Sequence, residues 1–458
     1  MKSLFDNKSR MICKVITLLV IMMMCMFLVS CGNTDGDNEQ ADNTPTETSH
    51  LHIRVTGDLH DGAYLEHGAK TSHGYYEIIT WPESMMPEDH GYTWYGNIVY
   101  TDYATCQKVF LCNTPGCPHN TQDCTSFVSY SSEARLFTDY SEKHLYLISL
   151  GVHTDDIRPA DLASITEMNM DGSGRRTVCS LTSEEVFSGN TVEIASDEYL
   201  YAMIGHIEMV PNKEDKLVPT EQYLLERIWF SDGRRETVCE LHNGSDQREG
   251  LLSVWGEEDL IINQRVFKDD SPSELYRCRI SQDGDLIEKF GPVGTFAYYS
   301  DQFMITGEED GTSAAVTAID YKTGERTTIN DVPAETGVVG RVIVHNRDEN
   351  KIHWSFLDTK EVFKCYILDF SEGTCKEFTL RQTDTYDDMP IGIIADAGND
   401  YYVIVGEQDT TLELTDVEGI PHVFPLSGYP RYALISKQDY WNCVPNYRMI
   451  EDKVMSTG

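Results

Sequence analysis

Short runs of alternating or aromatic-rich residues recur along the chain, each followed by a turn signal and another short run. SEKHLYLISL precedes ITEMNMDGSGRRTVCSL, DEYLYAMIG precedes ERIWFSDGRRETVCEL, and DLIINQRVF precedes ELYRCRISQDGDLIEKF. DQFMITGEE and AAVTAIDYKTGERTTI form a further set, followed by IHWSFLDTKEVFKCYILDFSEGTCKEF. Alternation with a period of two puts successive side chains on opposite faces of a strand, and Asp-Gly or Gly supplies the backbone angles of a tight hairpin. No comparable series of long helical stripes separates these runs, so the pattern predicts an all-β chain of antiparallel hairpins.

The turn glycines set the repeat. Gly172, Gly233, Gly284, Gly324 and Gly373 are 61, 51, 40 and 49 residues apart, close to the roughly 40 to 50 residues of a four-stranded propeller blade with loop insertions. Radial packing buries hairpin faces that a lone repeat would leave in water. The expected architecture is a β-propeller over residues 68–458, with units near 90–132, 133–184, 191–245, 250–290, 295–333, 339–382 and 390–455. Seven blades is the first expectation, with six or eight allowed by the irregular first and last repeats. GYYEIITWPE, ahead of the first unit, is expected either to close the ring as an outer strand of the final blade or to form a small cap.

The amino terminus breaks the pattern. Lys2, Lys8, Arg10 and Lys14 precede the apolar run VITLLVIMMMCMFL, whose 14 residues reach only about 21 Å as a helix, short of the roughly 30 Å hydrocarbon core of a membrane. It reads as the hydrophobic region of a signal peptide, residues 1–30. Leu28-Val29-Ser30-Cys31 resembles the lipobox of bacterial lipoproteins, which implies a diacylglyceryl thioether on Cys31 and cleavage before it. In residues 31–67, Cys31 is followed by GNTDGDNEQADNTPTETSH, too polar to form a core, and the segment is expected to be the lipidated cysteine and a flexible tether.

Charge narrows the partners. The chain carries a formal −39; residues 1–30 hold four basic groups and one acidic, which leaves 32 basic against 74 acidic groups and a balance of −42 beyond them. Nucleic acid is thereby excluded as a partner, since its backbone needs Lys and Arg. The expected membrane attachment is the lipid and not surface charge.

Beyond Cys31 ten cysteines remain, an even set suited to disulfides in an exported chain. Cys106, Cys112, Cys117 and Cys124 lie within TCQKVFLCNTPGCPHNTQDC, and local bridges are expected there, Cys117 with Cys124 and Cys106 with Cys112, as well as between Cys365 and Cys375. The alternative is a tetrahedral metal held by Cys112, Cys117, His119 and Cys124, although the spacing is not the tight Cys-x2-Cys knuckle. Cys179 and Cys239, equivalent in RRTVC and RRETVC, are expected to be small buried groups in separate blades.

Catalytic signals are weak. Glu184 with Glu185, Glu257 with Glu258, Asp155 with Asp156 and Asp269 with Asp270 are adjacent in sequence, which is not the geometry of a pair acting across a cleft. No zinc-protease, nucleophile-elbow or phosphate-loop motif occurs, so no residue is assigned a catalytic role and no cofactor is called for. Isolated histidines (His119, His144, His206, His345, His353) read as surface or core groups apart from the question at His119. Trp81, Tyr92, Trp94, Trp229, Trp255, Trp354, Tyr440 and Trp441 serve either blade packing or ligand platforms, with packing the main expectation.

ITEMNMDGSGRRTVCSL and ERIWFSDGRRETVCEL resemble the strand, Asp-Gly turn and strand units of TolB-like propellers. With the lipobox, LCNTPGCPHNTQDC and the terminal ALISKQDYWNCVPNYRMI, the chain resembles TolB-like β-propeller lipoproteins of Gram-positive anaerobic bacteria. The resemblance implies an extracytoplasmic propeller, lipid-anchored to the cell membrane, and no particular activity or oligomeric state. The expected function is therefore binding: a surface-anchored lipoprotein presenting propeller loops to a glycan, a peptide or an envelope component. The alternatives are a carbohydrate-active hydrolase or lyase with a dispersed central site, and a structural envelope protein.

Overall fold

A computed structural model gives the fold of the chain. It describes residues 28–29 and, from 51 to 456, all but segments 58–67, 89, 132, 153–161, 189–191, 212–216, 269–270, 292–295, 300–302, 310–312, 321–322, 334–342, 349, 358–361 and 385–388. Cys31, Asp155, Asp156, Asp269 and Asp270 lie outside the described residues, as does the side chain of His345.

The architecture is an all-β propeller. Six sheets are purely antiparallel blades, built in chain order on 134–180, 185–242, 247–290, 296–333, 343–377 and 392–449 and called blades 1 to 6 below; Leu28–Val29 and Arg54–Val55 add to the edges of blade 2, and Met455–Ser456 pairs with Thr411–Leu412 of blade 6. In blade 1 the strands Ala134–Thr138, His144–Ser149, Ser164–Asn169 and Arg176–Ser180 pair in sequence order. ARLFT is buried throughout, as a strand covered on both faces must be. The fourth strands face water: Leu286–Phe290 of blade 3 and Thr374–Glu377 of blade 5 are largely exposed. Described helix is confined to a 3-10 turn at Glu83–Met85 and one turn at Lys437–Trp441, capped by the Ser436 hydroxyl.

The blade count of six departs from the expected seven, and the difference lies at the start. The expected unit 90–132 is not a self-contained blade, because its sheet also draws on Ala69–Lys70 and Gly74–Thr80 ahead of it and on a strand near the carboxy terminus. Gly74–Thr80 pairs along its whole length with Trp94–Asp102, which also pairs with Gln107–Phe110 and Phe127–Tyr130. Glu451–Asp452 then enters parallel to Gln107–Phe110, the one parallel pairing among the described strands of the named sheets. GYYEIITWPE therefore does not extend the final blade; near the carboxy terminus Glu451–Asp452 joins this closing sheet and Met455–Ser456 returns to pair with Thr411–Leu412 of blade 6.

Apolar clusters follow one another around the ring. The closing sheet meets blade 1 through Ile98 and Leu136, and blade 1 meets blade 2 through Ile165 and Leu200. Blades 2 and 3 share Leu225 and Ile262, blades 3 and 4 share Ile261 and Ile319, and blades 4 and 5 share Ile329 and Trp354. Blade 5 packs on blade 6 through Ile367 and Val403, and blade 6 returns to the closing sheet through Tyr402 and Tyr75. Each such aliphatic group, fully buried, stabilises by about 1.5–3 kcal/mol, so every junction has its own driving force.

A polar lock sits in the last junction. Lys108 is fully buried, ion-paired with Glu77, and donates to the Tyr429 hydroxyl at 2.8 Å. Its ammonium lies 4.7 Å from the centre of the Tyr432 ring, which supplies a cation–π contact in a desolvated place. Tyr429 in turn donates to Asp452 at 3.2 Å, on the strand that closes the ring.

Candidate metal centre

After Gln107–Phe110 the chain leaves the closing sheet and returns to it at Phe127–Tyr130, and the loop between them carries three of the four clustered cysteines. Its ends are tied to the sheet: the Ser126 carbonyl accepts from the Ile98 N–H at 2.7 Å, and the Thr125 hydroxyl donates to the Leu111 carbonyl at 2.6 Å. Its middle is held by Asn97, which is fully buried. The Asn97 amide accepts from the Trp81 indole at 2.7 Å and donates to the His119 carbonyl at 2.8 Å and the Ser126 hydroxyl at 3.2 Å. This grip fixes His119 at a φ of 57°, a conformation costly for a side chain of its size and retained where surroundings over-determine it.

The consequence is a convergence. The ligand atoms of Cys112, Cys117, His119 and Cys124 all lie within 4.8 Å of one another, with Cys124 buried and the others partly so. His119 Nδ1 is 3.3 Å from Cys124 Sγ, and the Ser126 hydroxyl is 3.2 Å from the same sulfur. The backbone N–H groups of Thr114 and His119 reach the sulfurs of Cys112 and Cys117, each two residues on. Burial works against ionisation of Cys112, but the Thr114 N–H and the neighbouring thiols outweigh it and hold this thiol below its ordinary range. At Cys117 burial prevails and pushes the thiol up to about 11. Burial also lowers the His119 imidazole, which favours its neutral, ligating form.

The remaining cysteines do not join this group. Every described cysteine is free. Cys106 and Cys112 stand at opposite ends of Gln107–Phe110, a strand that spans about 13 Å; Cys106 instead donates to the Tyr103 carbonyl and accepts from Arg448. Cys365 and Cys375 occupy opposite faces of blade 5, since Cys365 packs toward blade 6 while Cys375, across from Leu368, packs toward blade 4. Only Cys117 and Cys124, of the expected pairs, come within reach of each other. Cys179 and Cys239 are buried in separate junctions.

Elsewhere the structure disperses what the sequence placed side by side. Glu185 is bound by Arg235 at 2.8 and 2.9 Å, and hydrogen bonds from that guanidinium hold its carboxyl down at about 2. Glu257 accepts from the Tyr140 hydroxyl at 3.1 Å. His353 is buried against Phe378 and shares a 3.1 Å hydrogen bond with Tyr440; His144 pairs with Asp139 at 2.9 Å, and His206 lies 3.4 Å from Glu185. Trp81, Trp255, Trp354, Tyr440 and Trp441 are buried, whereas Tyr92 is exposed. Sequence reading missed Asn97, Ser126 and Arg175. Arg175 donates to the carbonyls of Thr125 and Phe127, and its guanidinium lies within electrostatic reach of Cys124.

No family model and no curated protein matches the chain. Among solved structures it is similar to the β-propeller domain of the Trilobed protease from Pyrococcus furiosus (TM-score 0.45, 9% identity, 85% of this chain and 98% of that one). It is also similar to an oligogalacturonate lyase in complex with manganese (0.42, 12%, 86% and 99%) and to TolB from Acinetobacter baumannii (0.30, 12%, 74% and 78%). What these proteins share with the chain is the propeller fold.

Proposed function

We propose that the chain is an extracytoplasmic binding lipoprotein: Cys31 carries the lipid, residues 31–67 give reach, and the propeller presents loops to a glycan, peptide or envelope component. The observation that supports presentation over turnover is the hairpin of blade 6. Its strands, Asp400–Thr415 and Pro421–Ser436, are each 16 residues long, against four to ten in blades 3 to 5. At about 3.4 Å per residue such a strand reaches about 50 Å, so the hairpin extends well past its blade.

One face of the hairpin, with Leu412 and Leu414, covers the closing sheet. The other leaves Val423 62% exposed, and Ile420, in the turn at the tip, is 50% exposed. Branched aliphatic groups held out on a rigid ribbon, in a chain otherwise rich in carboxylates, are suited to contact with a partner. The full chain in detergent micelles, titrated calorimetrically with peptidoglycan fragments and a panel of soluble glycans and peptides, is expected to bind at least one class saturably without releasing product. Ile420→Glu with Val423→Glu should weaken that binding ten-fold or more. Release of new reducing ends would favour the carbohydrate-active alternative, and absence of binding across the panel would overturn the proposal.

A further inference from the structure

We propose that Cys112, Cys117, His119 and Cys124 bind one Zn2+ as a closed Cys3His centre whose role is structural: it staples the loop of the closing sheet to the hairpin of blade 6. Zinc bound to three thiolates and an imidazole is tetrahedral, with Zn–S near 2.3 Å and Zn–N near 2.0–2.1 Å. Those lengths require ligand atoms about 3.5–3.8 Å apart. The 3.3 Å between His119 Nδ1 and Cys124 Sγ is slightly shorter than this, and no pair in the group exceeds 4.8 Å. The adjustment required is therefore at most about an ångström, within a loop made of Pro115, Gly116 and Pro118 around the ligands.

Three further observations favour a metal over a disulfide. Joining any two of the thiols would leave the third, together with His119, in the same pocket with no role for their convergence. The N–H groups of Thr114 and His119 are hydrogen-bonded to the sulfurs of Cys112 and Cys117, an outer-shell contact of the kind that orients metal ligands. Binding releases three thiol protons and leaves a centre of net charge −1, and the Arg175 guanidinium stands within electrostatic reach of Cys124 to meet it. Soft thiolate donors select zinc over calcium or magnesium, and four protein ligands fill its tetrahedron, leaving no position for substrate.

The stapling role follows from what the loop touches. Asn120, next to His119, donates from its amide to the Asp416 carbonyl at 2.6 Å. Asp416 organises the hairpin tip by accepting from the N–H of Ile420 at 2.8 Å and from His422 at 2.9 Å. Cys112, Cys117 and Cys124 pack in one apolar cluster with Leu412 and Leu414 of the hairpin. Fixing the loop with a metal thus fixes the seam between the closing sheet and blade 6.

The test uses the full chain, purified in detergent without chelator. Elemental analysis should find one zinc per chain, and X-ray absorption should show three sulfur neighbours and one nitrogen. Cys106→Ser should retain the metal and the same spectrum, His119→Cys should retain it with four sulfurs, and His119→Ala should weaken it ten-fold or more. Removing the metal with a strong chelator should expose three additional reactive thiols and bring the first proteolytic cuts to 112–126 or 416–420. A chain that neither contains nor takes up zinc, a Cys117–Cys124 disulfide in protein taken from membranes, or an oxygen-rich zinc shell would overturn the site. An unchanged cleavage pattern after metal removal would overturn the stapling role.

Discussion

The side chain of Glu249 is fully buried in blade 3, and nothing in QREGLLSVW distinguishes it from the many solvated carboxylates of the chain. The His242 N–H and the Gln247 amide each donate to it at 2.9 Å, yet burial outweighs them and pushes its carboxyl up to about 8. In the unfolded chain the same group ionises near 4.5. Between those values the folded protein holds a proton that the unfolded chain has lost, so stability contributed here falls as pH rises from about 4.5 to 8 and falls no further above. Glu249→Gln removes this titration. Urea unfolding at pH 5 and pH 8 should show the variant gaining on the parent by about 1–3 kcal/mol over that range. An unchanged difference between the two proteins at both pH values would clear Glu249 as the source.

The turn glycines that set the repeat have a second role at the scale of the blade. All five have positive φ, but they differ in what lies beside them. A Cβ on Gly172 would come within 2.3 Å of the Thr125 carbonyl, on Gly233 within 2.1 Å of that of Val178, and on Gly284 within 2.6 Å of that of Val238. The oxygens of Val178 and Val238 lie on the preceding blade's strands and that of Thr125 in the loop leading into Phe127–Tyr130 of the closing sheet, so these turns are docking points between neighbours. Gly324 and Gly373 have open space instead. Gly324→Ala should therefore cost only the left-handed backbone, about 1–2 kcal/mol, whereas Gly233→Ala should cost about 1–3 kcal/mol more because a backbone must move. Equal losses in chemical denaturation would remove the docking role. Here the limits of sequence reading are visible. Blades 1 to 6 were legible within a few residues of the units expected at 133–184, 191–245, 250–290, 295–333, 339–382 and 390–455, because their turns and alternation are local. The docking was not, since a glycine required by φ looks the same whether or not a neighbour presses on it. The cysteine group was legible as a set of ligand types, but Cys106 was grouped with it by proximity in sequence, and the strand between Cys106 and Cys112 carries the two apart.

At the scale of the whole molecule, the ring depends on a two-residue strand with no hydrophobic pattern of its own. Glu451–Asp452 offers little backbone pairing, so the seam must draw its stability from side chains contributed by both ends, which is where Lys108 stands. A fully buried ammonium pairs with Glu77 and is surrounded by Tyr402, Tyr429 and Tyr432, on strands of blade 6 far along the sequence. Such a pair is expensive to desolvate, and removing one partner strands the other charge; replacing both with apolar groups removes the penalty along with the attraction. Lys108→Met alone should lower stability by about 3–5 kcal/mol, while Lys108→Met with Glu77→Leu should recover most of it. Hydrogen exchange locates the effect: in the single variant amides of 451–455 and of Gln107–Phe110 should lose protection before those of blade 3. If protection falls uniformly around the ring, the closing sheet is no weaker than the other junctions and the lock is an ordinary core pair. A loss confined to the seam would mean that the propeller opens where its two ends meet, with the cysteine loop and the long hairpin moving together.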